Sequence, residues 1–296
     1  MPIVPNAIKT VELQQAMRYM QVISIALLLY DWLLIFADEV KYIWTSRLTF
    51  VKLLYLWSRY SPIADTVLGF LSHFTFLSPQ ECKLNNTVNT FLGSAGIYSG
   101  ELVLVWRTFA LWQDSKRVRY GLGAVWALMF PLGLYSTVSF VTSTVYSPQL
   151  FPNQPGCNLV KGSSAIAGDF VGLVVLEITI VILTVVKAIH HAKGNPSLVR
   201  FQYVRTLYRD GVLFFICLTV LSVGNFLALF LGPKANALLL PTFLRVMHST
   251  LCCRVILNLR SAASSDNELP QSIHPSRQGT GTLSALQFVA SRTCRT

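Results

Sequence analysis

The chain has 296 residues, 53% of them hydrophobic and only 12% charged, with 24 Lys and Arg against 13 Asp and Glu. A soluble domain carries roughly twice that charged fraction, and a nucleic-acid binder gathers its basic residues on one face instead of scattering them through apolar sequence. Composition therefore argues against both classes and makes the lipid bilayer the expected partner.

A helix that crosses about 30 Å of hydrocarbon needs about 20 mostly apolar residues, because every backbone amide must be paired within the segment itself. Seven segments qualify: 18–36, 53–74, 88–111, 120–142, 168–189, 211–231 and 237–257. The second is the weakest, interrupted by Ser58, Arg59, Ser61, Pro62 and Asp65. Charge asymmetry retains it. With seven spans and the N-terminus outside, Lys and Arg gather in loops 37–52, 112–119 and 187–209 and in the tail, whereas six spans put the first loop and Arg59 on the wrong side. The expected architecture is an all-α membrane protein, a seven-helix transmembrane bundle over 18–257. A short outer N-terminus precedes it at 1–17, and a Ser-rich, disordered cytoplasmic tail follows at 258–296. Residues 1–17 lack the core and cleavage site of a removable signal peptide, so the first span is expected to act as an uncleaved anchor. Placement in the secretory pathway follows, while the choice of membrane and the oligomeric state stay open.

Of six cysteines, only Cys82 and Cys157 fall on the outer side, one before the third span and one in the long loop 143–167. An oxidising compartment would join them and pin that loop to the third span; two unpaired thiols are the alternative. Asn85-Asn86-Thr87 is a glycosylation sequon on the same side, with Asn85 as the acceptor. Cys252 and Cys253, near the inner end of the last span, read as buried thiols or as palmitoylation sites.

Within 30–62 stand Tyr30-Asp31, Leu33-Leu34, Asp38-Glu39-Val40, Trp44, Lys52 with an apolar run after it, and Arg59-Tyr60. This pattern resembles the signature of a fungal family of multi-pass membrane proteins, mostly from mushrooms and their relatives, known only as a domain of unknown function. It covers roughly a ninth of the chain and departs at Ala37, where the family has Pro. A looser likeness continues through Arg107-Thr108-Phe109-Ala110-Leu111-Trp112. The resemblance implies a seven-helix membrane protein without assigned activity and carries over no catalytic residue. Independently of it, Asp31 and Arg59 both lie ~10 Å below the inner surface on spans joined by a short loop, a depth match that predicts a structural ion pair, against the alternatives of Arg59 snorkelling to the interface and a proton or ion relay.

Deeper in the bundle, Glu101, Glu177, Arg245 and His248 fall within ~5 Å of one another in depth, and Asn225 adds an amide in the outer half. Ionisable groups in a span are costly and face the bundle interior, a partner or a water-filled cavity. These five residues read first as a packed structural network and second as a candidate ligand cavity, with an ion or proton path as the third reading. Gly96-x-x-x-Gly100 and Gly168-x-x-x-Gly172 offer small faces for close helix contact. Pro62, Pro131 and Pro241 are placed to bend their spans.

The sequence lacks a phosphate-binding Gly-rich loop with Lys, a His-Glu-x-x-His pair and a hydrolase serine elbow. Only one of five histidines, His248, is central. No enzyme, no cofactor and no metal is therefore expected. Two classes remain. A receptor would use the outer cavity for a ligand and the basic loop 187–209 to dock a cytoplasmic effector. A solute or ion transporter or channel would line its path with Glu101, Glu177 and His248.

Overall fold

The computed structural model describes residues 3–113, 115–148, 155–194, 202–231 and 240–268. Among them run seven α-helices: α1 (Ile3–Glu39), α2 (Phe50–Phe74), α3 (Pro79–Leu111), α4 (Lys116–Ser143), α5 (Ile166–Gly194), α6 (Gln202–Leu231) and α7 (Pro241–Glu268). A π-helical turn, Val40–Trp44, extends α1, and two short strands, β1 (Val145–Ser147) and β2 (Asn158–Lys161), form an antiparallel hairpin between α4 and α5. Consecutive helices pack on one another, α7 closes the ring against α1, and α3 runs through the middle, touching α2, α4, α5 and α7.

Local chemistry explains several boundaries. Thr49 caps α2 by accepting from the Lys52 amide. Ser78 and Glu81 form a reciprocal capping box at α3, with Pro79 in the first turn. The Ser78 backbone N–H and then its hydroxyl hold the exposed Glu81 carboxyl below its ordinary range. Pro241 opens α7 instead of bending it, because a missing N–H costs nothing in a first turn. At the other end α7 runs eleven residues past Leu257. Arg260 explains the overrun, donating from Nη1 to Tyr42 O and Ser46 Oγ at 2.8 Å each, so segment 258–268, expected in the tail, is helical.

Pro62 lies inside α2 and cannot donate to the carbonyl four residues back. That carbonyl, Ser58 O, accepts instead from Ser249 Oγ of α7 at 2.5 Å. The small faces are used internally. A Cβ at Gly96 would strike the Arg245 guanidinium, and one at Gly100 would sit 3.4 Å from Cys252 Sγ and His248 Nδ1. Gly168 and Gly172 likewise admit Ser136 and Met129 of α4.

The polarity of the bundle is inverted relative to a soluble protein. Gln21, Asp31, Glu39, Arg59, Glu101, Glu177 and His248 are buried, while Tyr30, Leu33, Leu128, Val220 and many other large apolar side chains face outward. Such an exterior suits lipid. Three helical stretches, Val11–Trp44, Lys116–Ser143 and Ile166–His190, are long and apolar enough to cross a membrane. The buried polar groups come from both sets of helices, with Gln21, Asp31 and Glu39 on α1, Arg59 on α2, Glu101 on α3, Glu177 on α5 and His248 on α7.

Candidate functional site

The loop between α4 and α5 is anchored at several points. Cys157 is disulfide-bonded to Cys82 at the start of α3, with their Cα atoms 5.7 Å apart. The Gly156 and Cys157 amides donate to Thr75 O and Ser72 O at 3.0 and 2.8 Å, closing the C-terminal end of α2. Arg18 adds hydrogen bonds to His73 O and Pro155 O. Gly156 takes φ +114°, where a Cβ would also press on His73 O, so the bend requires glycine.

Beneath this cap lies a cavity of about 210 Å³ with mostly apolar walls, including Leu13, Met17, Ile97, Phe140 and Phe170. Two polar groups mark its floor. Arg245 Nε is 2.9 Å from Asp65 Oδ2, and its Nη2 donates to Ser61 Oγ. Arg245 Nη1 and Asp65 Oδ1 are buried and find no hydrogen-bond partner among the described residues. On the other side Tyr98 donates to Asp169 Oδ1 at 2.6 Å and Thr137 to Asp169 Oδ2 at 3.1 Å.

Of the five residues grouped as a candidate cavity, only Arg245 lines this one. Glu101, Glu177 and His248 form a separate, deeper cluster between α3, α5 and α7. His248 Nε2 stands 3.1 Å from Glu177 Oε1 and 3.4 Å from Glu101 Oε1, and Ser222 of α6 donates to Glu177 Oε1 at 2.9 Å. Asn225 satisfies itself within α6, donating to Leu221 O at 3.0 Å. The grouping fails because depth along the bundle does not specify azimuth. Arg245 and His248 differ by about 60° around α7, which directs one to α2 and the other to α3 and α5. Asp65, which the sequence marked only as an interruption, and Asp169 were missed. Asp65 is nine residues from Phe74 and Arg245 eight from Ala237, so the same depth count would have paired them.

Asp31 and Arg59 meet at the opposite end of the bundle, Nη1 to Oδ2 at 2.8 Å. They belong to a larger network. Arg59 Nε also faces Glu39 Oε2 at 3.3 Å, and Arg254 Nε reaches Asp31 Oδ1 at 2.7 Å. Glu39 Oε1 accepts from the Tyr60 hydroxyl at 2.8 Å and from Trp44 Nε1 at 3.2 Å. Asn85 sits within α3, and both protons of its amide are engaged, by Leu68 O at 2.8 Å and Ser72 Oγ at 2.6 Å; an attached glycan would displace one of these bonds. Cys252 and Cys253 are fully buried. The basic segment 187–209 lies partly outside the described residues.

Residues 19–64 match the model of a family of unknown function, DUF6533. No curated protein and no solved structure matches the chain. The matched segment contains Asp31, Glu39, Trp44, Arg59 and Tyr60, five members of the buried network that locks α1 to α2. Asp65 and Arg245 of the cavity floor lie outside the matched residues, and Ser61, which accepts from Arg245, lies inside them.

Proposed function

We propose that this is a seven-span membrane receptor of the secretory pathway. In this reading its N-terminus and hairpin are outside, its C-terminus is cytoplasmic, and the cavity under the hairpin binds a small apolar molecule bearing one hydrogen-bonding head group. The observation that carries the proposal is the cavity itself. Concave apolar sites with a few convergent polar groups are the usual small-molecule sites, and here the Arg245–Asp65 and Tyr98–Asp169 pairs are the polar groups among mostly apolar walls. Orientation is supported by the disulfide at one end of the bundle and the basic loops 37–52 and 112–119 at the other. Segment 187–209 is the docking place for a cytoplasmic effector.

A receptor is favoured over a transporter because the end opposite the cavity is occupied by the Asp31, Glu39, Arg59 and Arg254 network and by the apolar cluster around Ile43, Tyr55 and Ile256. The test is a thermal-unfolding screen of the full chain in nanodiscs against C8 to C12 alcohols, carboxylic acids and amides. At least one class should raise the unfolding temperature of the wild type. Gly93 lines the cavity and its Cβ would meet nothing within 4 Å, so Gly93→Leu should fold and lose the shift by filling the space. No shift with any member of the panel, or an undiminished shift in Gly93→Leu, defeats the reading. Solute or charge movement in liposomes carrying the purified chain alone would instead select the transporter.

A further inference from the structure

We propose that Glu101, Glu177 and His248 form a binding site for one divalent transition cation of the zinc type, held between α3, α5 and α7. The inference is independent of the ligand cavity. It begins with spacing: one ligand atom from each residue can be chosen so that all lie within 4.8 Å of one another, and His248 Nε2 already stands 3.1 and 3.4 Å from the two carboxylates. Donors bound at about 2.1 Å around a tetrahedral ion are about 3.4 Å apart, so little movement separates this arrangement from coordination.

The second observation is what these side chains lack. Glu101 and His248 are fully buried and Glu177 is 3% exposed. Among the described residues neither Glu101 oxygen accepts a hydrogen bond, and Glu177 Oε2 and His248 Nδ1 likewise find no partner. A buried carboxylate without hydrogen bonds is among the costliest groups a fold can hold. The nearest buried cation on the same helix, Arg245, is committed to Asp65. Two carboxylates and a neutral imidazole sum to a charge of −2, which one divalent ion cancels by binding His248 Nε2 and carboxylate lone pairs of Glu101 and Glu177.

Donor type narrows the ion. Two oxygens and an imidazole nitrogen suit Zn²⁺ and its first-row neighbours better than Ca²⁺ or Mg²⁺, which prefer oxygen alone. Three protein ligands leave a fourth position for a water. Beside Glu101 lies a small cavity of about 10 Å³, bordered by Tyr98, Met129 and Leu176, which matches one water molecule. Tyr98, Asp169 and Leu173 border this cavity and the large one alike, placing the cluster one wall away from the hairpin end. Ser222, donating to Glu177 Oε1, supplies the outer hydrogen bond that orients a ligand carboxylate. Reading the sequence by its histidines alone hid this site, because two of the three donors are carboxylates from other helices.

The experiment uses the full chain purified in detergent, stripped with EDTA and reloaded with Zn²⁺ against a competing chelator, with metal measured by mass spectrometry. One equivalent per chain is expected, and Co²⁺ in place of Zn²⁺ should give the intense visible bands of a tetrahedral site. Glu101→Gln, Glu177→Gln and His248→Gln should each weaken Zn²⁺ binding by at least about 100-fold and Ser222→Ala by about 10-fold, while His73→Asn, outside the cluster, keeps the full equivalent. Folded wild-type protein that takes up no stoichiometric Zn²⁺ and shows no Co²⁺ band overturns the proposal, and so do folded cluster variants that bind as the wild type does. The wild-type measurements decide alone for any variant that does not fold. Ligand-induced stabilisation in the nanodisc screen is a separate readout, so either proposal can fail without the other.

Discussion

Arg59→Gln tests how the bundle tolerates buried charge. The Arg59 side chain is wholly buried and pairs with Asp31 at 2.8 Å and Glu39 at 3.3 Å. Asp31 has a second cation in Arg254, whereas Glu39 has no other ion-pair partner among the described residues. Removing Arg59 therefore leaves Asp31 paired and Glu39 as an uncompensated buried anion, with only the Tyr60 hydroxyl and Trp44 Nε1 as donors. Two unit charges about 4 Å apart interact by about 4 kcal/mol at an effective dielectric near 20, and breaking one side of a buried pair costs about 3–5 kcal/mol. At about 2–4 °C per kcal/mol, the unfolding temperature in nanodiscs, followed by tryptophan fluorescence, should fall by roughly 10 °C. Adding Glu39→Gln should recover more than half of that loss, and adding Asp31→Asn should recover less, because it also strands Arg254. If Glu39→Gln/Arg59→Gln is no more stable than Arg59→Gln alone, the uncompensated-charge argument is refuted.

Gly96→Ala should destabilise by about 3 kcal/mol, because the new methyl evicts Arg245 from Asp65; Gly93→Ala, facing open space, should be neutral or gain up to about 1 kcal/mol from helix propensity, and comparing their unfolding temperatures checks both. Ser249→Ala should cost about 1–3 kcal/mol by stranding Ser58 O, but little in a Pro62→Ala background, where the helix supplies its own donor. Cys82→Ser should lower the unfolding temperature to that of wild-type protein held in reductant, with no further effect of reductant on the variant. Epitope tags at the two termini of the intact protein should be accessible from opposite sides of the membrane.

The helices were legible because lipid demands long apolar segments, and six of the seven expected spans fall wholly inside observed helices. The Asp31–Arg59 pair was legible because both charges lie at one depth on adjacent helices. Glu39 and Arg254 were not: the first lies beyond the apolar segment, and the second approaches from α7, a neighbour only through ring closure. Depth also brought out Glu101, Glu177 and His248 but misgrouped Arg245, since hydropathy carries no azimuth. The paired strands 145–147 and 158–161 left no apolar signal, because the disulfide and the hydrogen bonds to α2 hold them in place of a core.

A proline inside a helix leaves the carbonyl four residues back without its rung. Here the rung is lent to a neighbour, so α2 and α7 are engaged like the plates of a clutch at the level of Ser58 and Ser249. While that bond holds, their register is locked. Without that bond α2 has no amide of its own to close the gap, because the residue four places on from Ser58 is Pro62.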